Sequence, residues 1–320
     1  MHKPKAYLTR RLPEPAESII GEVCEYDIWG DPVPIPRATL LERIRGVDGI
    51  LSLLTDRMDA EAMDAAGGSL KVISNYAVGF DNVNLDAAKE RGIVVTNTPG
   101  VLTETTADLT WALLMAAARR IAEGDRFTRT GHWKGWDPLQ LLGVDVFGKT
   151  LGIIGLGRIG VSVARRAAGF RMRILYTDVQ PFPEREAETG AQFVSLDELL
   201  RESDFISVHS PMTPETRHLI NEEAFRKIKP TAVLVNAARG LVVDEAALVH
   251  ALREQRIFAA GLDVYEREPQ LAPGLADLPN VVLAPHLGSA SRETRSKMAE
   301  LAARNLVLVL QDKEPLHRVV

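Results

Sequence analysis

Short apolar runs alternate with amphipathic stretches from one end of the chain to the other. Brief Val-, Ile- and Leu-rich runs bounded by polar residues read as buried strands. The stretches between them read as helices, and the alternation predicts α/β architecture with parallel sheets. In the first part the pattern predicts strands near Ala6–Leu8, Gly49–Leu54, Lys71–Ser74 and Ile93–Thr96. Helices lie between them, including Leu40–Arg45 and Ala60–Ala66. Thr98-Pro-Gly100 breaks the pattern, and one long helix is expected from about Thr103 to Ala122. A second α/β unit opens at Thr150–Ile154, with strands near Arg173–Thr177, Phe205–Val208, Ala232–Val235, Ala259–Leu262 and Val281–Leu283. Ser195 and Glu198 form a plausible capping box, and Asp244 is placed to cap the helix after Val243. A last helix, about Ser291 to Leu310, is expected to pack back on the first domain. Gly131–Gly148, with Trp133, Trp136 and Pro138, is irregular and too aromatic for a bare surface loop, which suggests that something covers it.

The strand at Leu151–Ile154 runs into Gly155-Leu156-Gly157-Arg158-Ile159-Gly160, and a helix comes next. The first glycine permits the tight turn and the second lets backbone approach a pyrophosphate. The third lets helix and strand pack closely. The helix N-terminus supplies N–H donors and the positive end of a dipole. A GxGxxG string alone is weak evidence; the strand before it and the helix after it make it a dinucleotide fingerprint. Asp178 ends the next strand, about 20 residues on, where an acid accepts from ribose hydroxyls and repels a 2′-phosphate. NAD is therefore expected as cofactor, with NADH preferred over NADPH. Arg185 lies near enough in sequence to leave some NADPH use open, and a turn or capping role is the alternative for Asp178.

Three residues far apart in sequence complete a chemistry: Arg239 in Asn-Ala-Ala-Arg-Gly, Glu268 in Glu-Arg-Glu-Pro, and His286 in Ala-Pro-His-Leu-Gly-Ser. A guanidinium grips a carboxylate with two parallel bonds. An imidazole gives or takes a proton near neutral pH, and a carboxylate beside it favours imidazolium and fixes the ring. Together they suit binding a 2-oxo acid and protonating its carbonyl. His286 follows a strand end, where open α/β sheets bind ligands, and Gly288 leaves room around it. Each has a plainer alternative: a structural strand-end histidine for His286, and an ion pair with Asp244 or Glu245 for Arg239. His209 either lines an adenine pocket or closes a strand; His132, His218, His250 and His317 read as surface or packing residues.

Composition narrows the setting. A net charge of −5 argues against general affinity for nucleic acid or an anionic membrane. The single cysteine, Cys24, permits no intrachain disulfide and fits a reducing compartment. The N-terminal charges are followed by no apolar h-region, and no apolar run is long enough to span a bilayer. The cytoplasm is the expected location. No metal site is read from the chain.

These pieces, in order, resemble the D-isomer-specific 2-hydroxyacid dehydrogenases across essentially the whole length. The matching segments are Gly79-Phe-Asp-Asn82, Asn97–Gly100, Gly155–Gly160, His209-Ser-Pro-Met-Thr213, Asn236–Gly240, Gly261–Val264, Glu268-Pro269 and Pro285–Ser289. Within that family the chain looks most like the glyoxylate/hydroxypyruvate reductases, through Tyr76–Gly79, Asn97–Leu102 and the segment around Trp136. The resemblance implies two doubly wound domains. One is a flavodoxin-like substrate domain, about 1–98 plus 290–320, and the other a Rossmann cofactor domain, about 99–289. It implies that Arg239 binds substrate, that Glu268 partners the acid/base, and that His286 is the proton donor. Backbone N–H groups of Val78 and Gly79 would bind the substrate carboxylate. Thr106, Leu156, Arg158, Ile159, His209, Pro211 and Ala237 would contact cofactor, and Asp263 would face the nicotinamide. A homodimer through the 100–148 region is implied, with Trp136 either reaching the partner's active site or packing at the interface. Asp108 departs from the pattern, standing where many relatives carry Glu. The expected reaction is reduction of glyoxylate, and of hydroxypyruvate, by NADH. The rivals are a phosphoglycerate or phosphonate/phosphite dehydrogenase of the same fold, and a non-catalytic NAD-sensing corepressor.

Overall fold

The computed structural model describes residues 3–320. Residues 1 and 2, which the expected substrate domain includes, lie outside the described residues. The chain divides into two compact units, Met1–Leu102 with Ser289–Val320, and Thr103–Gly288. The seams fall at 102/103 and 288/289, beside the expected 98/99 and 289/290.

In the first unit β1 (Lys5–Leu8), β2 (Glu25–Ile28), β3 (Gly49–Ser52), β4 (Val72–Asn75) and β5 (Val94–Thr96) form one parallel sheet in the order β2-β1-β3-β4-β5. This is the flavodoxin-like order. Successive residues of the inner strands are buried on opposite faces. Leu8, Leu51 and Val72 join a core with α1 (Ala16–Val23), whereas Tyr7, Ile50 and Ile73 join one with α2 (Arg37–Arg43), α3 (Ala60–Ala66) and α4 (Leu85–Glu90). Both faces being covered explains why the strands read as unbroken apolar runs. The C-terminal helix, Arg292–Leu310, returns to this unit as expected, packing on α1 and on β3 and β4. Gly49 makes room for it: a Cβ there would lie 2.8 Å from Leu306 Cδ1. Ser74 Oγ donates to the Ala302 carbonyl at 2.8 Å, fixing the helix across the sheet.

The second unit begins with α5 (Thr103–Ala118) and α6 (Ile121–Arg129). The single long helix expected here is broken, with Arg120 in the left-handed region (φ 53°). The cause lies downstream. The Val144 N–H takes the Ala118 carbonyl at 3.0 Å, and Gly143 sits so close that a Cβ would meet that same oxygen. Asp108 accepts from Arg166 Nη2 at 2.7 Å.

The second sheet contains β6 (Thr150–Ile154), β7 (Arg173–Thr177), β8 (Gln192–Phe193), β9 (Phe205–Val208), β10 (Val233–Asn236), β11 (Ala259–Leu262) and β12 (Val281–Leu283). All pairings are parallel, in the order β12-β11-β10-β9-β6-β7-β8. The strand order reverses between β6 and β9, and ligands of such sheets bind outside the carboxyl ends at that switch point. The helices α7 (Arg158–Ala167), α8 (Pro183–Thr189), α9 (Leu196–Glu202), α10 (Glu222–Lys227) and α11 (Glu245–Arg253) link its strands, and α12 is the C-terminal helix described above. Ser195 caps α9 by accepting the Glu198 N–H at 3.2 Å, and Asp244 caps α11 by accepting the Ala247 N–H at 3.0 Å.

Candidate active site

The carboxyl ends of the second sheet gather the residues singled out from the sequence. Gly155 follows β6 with φ +94°, and a Cβ there would lie 2.8 Å from the Ser210 nitrogen after β9. A Cβ on Gly160 would lie 2.2 Å from the Gly155 carbonyl oxygen, so helix and turn meet backbone to backbone. Gly157 has open space where its Cβ would be, and no side chain caps α7. The turn therefore presents an uncovered helix N-terminus at the switch point, the arrangement that receives a pyrophosphate. Leu156 is buried, Ile159 half-buried and Arg158 exposed.

Two side chains grip the middle of this turn. Asp178 Oδ2 accepts the Leu156 N–H at 2.8 Å, and Arg185 Nη1 donates to the Leu156 carbonyl at 2.7 Å. Arg185 also stacks on the Phe182 ring, 4.1 Å from its centroid. Across the switch point His209 donates its backbone N–H to the Ile154 carbonyl at 2.7 Å. Its Nε2 lies 2.7 Å from Ser207 Oγ, and its Nδ1 is buried with no hydrogen-bond partner among the described residues. Burial pushes the ring down to about 4, so it is neutral at physiological pH. Pro211 is exposed two residues on, its carbonyl accepting from Thr216 Oγ1. An uncovered helix N-terminus and an orphaned buried ring nitrogen on neighbouring strand ends fit a dinucleotide.

Arg239, Glu268 and His286 come after β10, β11 and β12, three adjacent strands. Residues distant in sequence thus reach one edge of the sheet. Asn236 shapes the first segment: its Nδ2 donates to the Arg239 carbonyl at 2.9 Å and its Oδ1 accepts the Ala238 N–H at 3.1 Å. Ala237, at the centre of that turn, is half-buried. His286 Nδ1 lies 2.8 Å from Glu268 Oε2, and the second oxygen of Glu268 accepts the Tyr265 N–H at 3.1 Å. Burial pushes the Glu268 carboxyl up, but the bond to His286, the histidine charge, the Tyr265 N–H and the Arg239 guanidinium outweigh it and leave it below its ordinary value. Glu268 is therefore ionised at neutral pH.

His286 has φ +55°, an uncommon conformation for a residue with a side chain. Asp263 holds it there, accepting the N–H groups of Leu287 and Gly288 on its two carboxylate oxygens at 2.6 and 2.8 Å. Thr106 Oγ1 donates to the Gly288 carbonyl at 3.0 Å, which ties α5 to the same loop. Tyr265, which the sequence reading passed over, donates its hydroxyl to the Ala284 carbonyl at 2.9 Å. Burial first, then the charges of Asp263, Glu268 and Glu245, push that phenol up to about 12, so it remains a donor. Asn236 had a legible signal in its spacing to Arg239; Tyr265 had none. In the first unit, Asn97 Nδ2 donates to the Val78 carbonyl at 2.8 Å and Asn75 Nδ2 to the Gly79 carbonyl at 2.9 Å. Those side chains fix the turn that carries the two N–H groups of interest.

Comparison with known proteins gives the family. Residues 111–288 match the model of the D-isomer specific 2-hydroxyacid dehydrogenase, NAD binding domain. The chain is 52% identical over 317 residues to the glyoxylate reductase of Thermococcus onnurineus, covering 98% of this chain and 95% of that protein. Among solved structures, the TT0316 protein from Thermus thermophilus superposes with a TM-score of 0.93 at 50% identity, covering 99% of this chain and 100% of the other. The NADPH-dependent glyoxylate/hydroxypyruvate reductase of Sinorhizobium meliloti, in complex with NADP and malonate, gives 0.87 at 34% identity, with 99% and 97% covered.

Proposed function

Because the chain belongs to the D-isomer specific 2-hydroxyacid dehydrogenases, we propose that it reduces glyoxylate to glycolate and hydroxypyruvate to D-glycerate, with NADH preferred. The observation that carries the reading is the His286–Glu268 pair, 2.8 Å apart on adjacent strand ends with Arg239 on the next. Nδ1 of His286 is taken by Glu268, so Nε2 is left for the substrate. In this reading Nε2–H gives its proton to the carbonyl oxygen of the 2-oxo acid. Glu268 holds the ring and compensates its charge. Arg239 binds the carboxylate and polarises the carbonyl through its second N–H group. Bound NADH supplies the hydride to the carbonyl carbon. The Gly155–Gly160 turn would hold its pyrophosphate, Asp178 its adenosine ribose, and Thr106, His209, Pro211, Ala237 and Asp263 the rest of its outline.

The preference for NADH is supported by both residues at Leu156. A carboxylate at Asp178 would repel a 2′-phosphate bound beside it. Arg185 is engaged with the turn and Phe182, not held in reserve for an anion. The roles of Val78 and Gly79 in carboxylate binding, and of the first unit as substrate domain, are carried over from the family. The homodimer through residues 100–148 is supported by exposed apolar side chains on that stretch, with Trp136 84% exposed and Leu139 78%. Charged replacements at Leu139 and Leu142 should shift sedimentation toward monomer; an unchanged dimer would move the interface elsewhere. The cytoplasm is proposed because the only cysteine, Cys24, is buried and unpaired. Among the described residues no helix is long and apolar enough to cross a membrane.

The deciding experiment follows NADH absorbance with a panel of 2-oxo acids. Glyoxylate and hydroxypyruvate should give the highest kcat/KM. A higher value with phosphohydroxypyruvate would move the chain to the phosphoglycerate branch, and no turnover with any acid would favour a binding role.

A further inference from the structure

We propose that Glu245 and Glu266 are positioning residues that lock the Arg239 segment to the Glu268 segment, an inference that rests on the roles proposed above for Arg239, Glu268 and His286. The two glutamates exchange hydrogen bonds reciprocally. Glu266 Oε1 accepts the Glu245 N–H at 2.9 Å, and Glu245 Oε1 accepts the Glu266 N–H at 2.7 Å. Glu245 opens α11 just after the Arg239–Gly240 turn, whereas Glu266 lies two positions before Glu268. The exchange therefore ties the chain leaving β10 to the chain leaving β11.

The same two segments touch directly. A Cβ on Gly240 would lie 1.9 Å from the Tyr265 carbonyl carbon and 2.4 Å from the Glu266 nitrogen. Only a glycine lets the backbones pass so closely. From Tyr265 the linkage continues to Glu268 through the N–H bond, and to Ala284, two residues before His286, through its hydroxyl. Arg239, Glu268 and His286 are thus anchored to one connected set of hydrogen bonds.

Glu245 is costly where it stands, which argues against an incidental contact. It is 5% exposed, and burial together with the charges of Glu266 and Glu268 raises its carboxyl, only partly offset by the N–H groups of Glu266 and Ala272. It is not needed as a helix cap, because Asp244 already fills that role. The groups facing the exchange are Glu268, Asp244 and His218, whose Nε2 lies 3.1 Å from Glu266 Oε1.

The test compares Glu245→Ala and Glu266→Ala with Glu245→Gln and Glu266→Gln. Glutamine keeps a carbonyl that accepts the partner's N–H; alanine does not. Both alanine variants should lose about 10- to 100-fold in kcat/KM, the cost of misplacing a reacting group by roughly 1 Å. The loss should fall on kcat more than on KM, the pH profile should move as Glu268 loosens from His286, and NADH binding followed by fluorescence should hold. The glutamine variants should recover most of the activity. Alanine variants that match the unaltered enzyme in kcat and pH profile would overturn the proposal, as would glutamine variants as damaged as alanine. If Glu245→Ala does not fold, Glu266→Ala at its half-buried site decides. Hydrogen–deuterium exchange separates this proposal from the reading it rests on. Amides of Arg239–Leu241 and Tyr265–Glu268 should exchange faster together in the alanine variants even if no 2-oxo acid is turned over, and unchanged exchange would sink the coupling by itself.

Discussion

The backbone N–H of His286 donates to the Asp263 carbonyl at 2.9 Å, and the next two N–H groups donate to the Asp263 carboxylate. One aspartate therefore fixes three consecutive amides and the left-handed turn at the proposed acid. Burial raises this carboxyl, and the Leu287 N–H, the His286 charge and the Gly288 N–H counter it. Asp263→Ala would strand the Gly288 N–H in a buried site, costing about 1–3 kcal/mol, and would leave the part-buried Leu287 N–H without its acceptor. The expected result is a lower Tm together with a fall in kcat larger than the loss of NADH affinity. A variant with wild-type kcat would show that the loop holds His286 without it.

Asp178 is tied to Leu156 in the same manner, side chain to backbone N–H. Asp178→Ala should narrow the preference for NADH over NADPH, since it removes like charge from the site of a 2′-phosphate. It should also weaken NADH binding, because the Leu156 N–H loses its acceptor. Titrating both cofactors by fluorescence separates the two effects. A higher kcat/KM with NADPH in the unaltered enzyme would refute the role given to Asp178.

Arg239 contributes through geometry that lysine lacks. Two charged hydrogen bonds at about 1.5–3 kcal/mol each correspond to a loss of roughly 150- to 25,000-fold in kcat/KM for Arg239→Ala. Arg239→Lys keeps the charge but not the fork, and should recover little. NADH affinity should be nearly unchanged in both. Equal damage to cofactor affinity would transfer Arg239 to the cofactor site.

Much of this was legible in the chain because residue type carries the geometry. Gly155 and Gly160 are glycines where any Cβ would meet backbone, and the strand-to-helix setting was readable from the apolar runs. Arg239, Glu268 and His286 could be named as chemical types, and the parallel sheet order brings them to adjacent strand ends. What escaped has physical reasons. β2 is a mostly exposed edge strand of four residues, Glu-Tyr-Asp-Ile, too short and too polar to stand out as an apolar run. The break at Arg120 is set by Gly143 and Val144, which sequence places far down an irregular segment. The Glu245–Glu266 exchange joins side chain to backbone across 21 residues, and such bonds leave no periodic trace.

The proton donor yields the most discriminating pH prediction. The paired Glu268 carboxyl lies below its ordinary range because its favourable contacts outweigh burial. The sign comes from linkage. A carboxylate depressed in the folded state contributes stability above its unfolded value, and that contribution is lost as pH falls through the folded value. Glu268 should therefore remain ionised, and the pair intact, into the acid range, with the contribution lost progressively as pH falls from the unfolded value through the lowered folded one. Reduction needs a proton on His286, which Glu268 holds in place through Nδ1. Glu268→Gln keeps an acceptor for Nδ1–H but cannot titrate, so substantial activity should remain while the acid-side loss set by Glu268 disappears from the kcat/KM profile. His286→Ala should nearly abolish reduction with NADH binding and fold retained. The measurement is a pH profile of kcat/KM for the unaltered enzyme and Glu268→Gln, with single-pH turnover for His286→Ala. An acid-side loss unmoved in Glu268→Gln would break the proposed pairing, and an active His286→Ala would remove His286 from the mechanism.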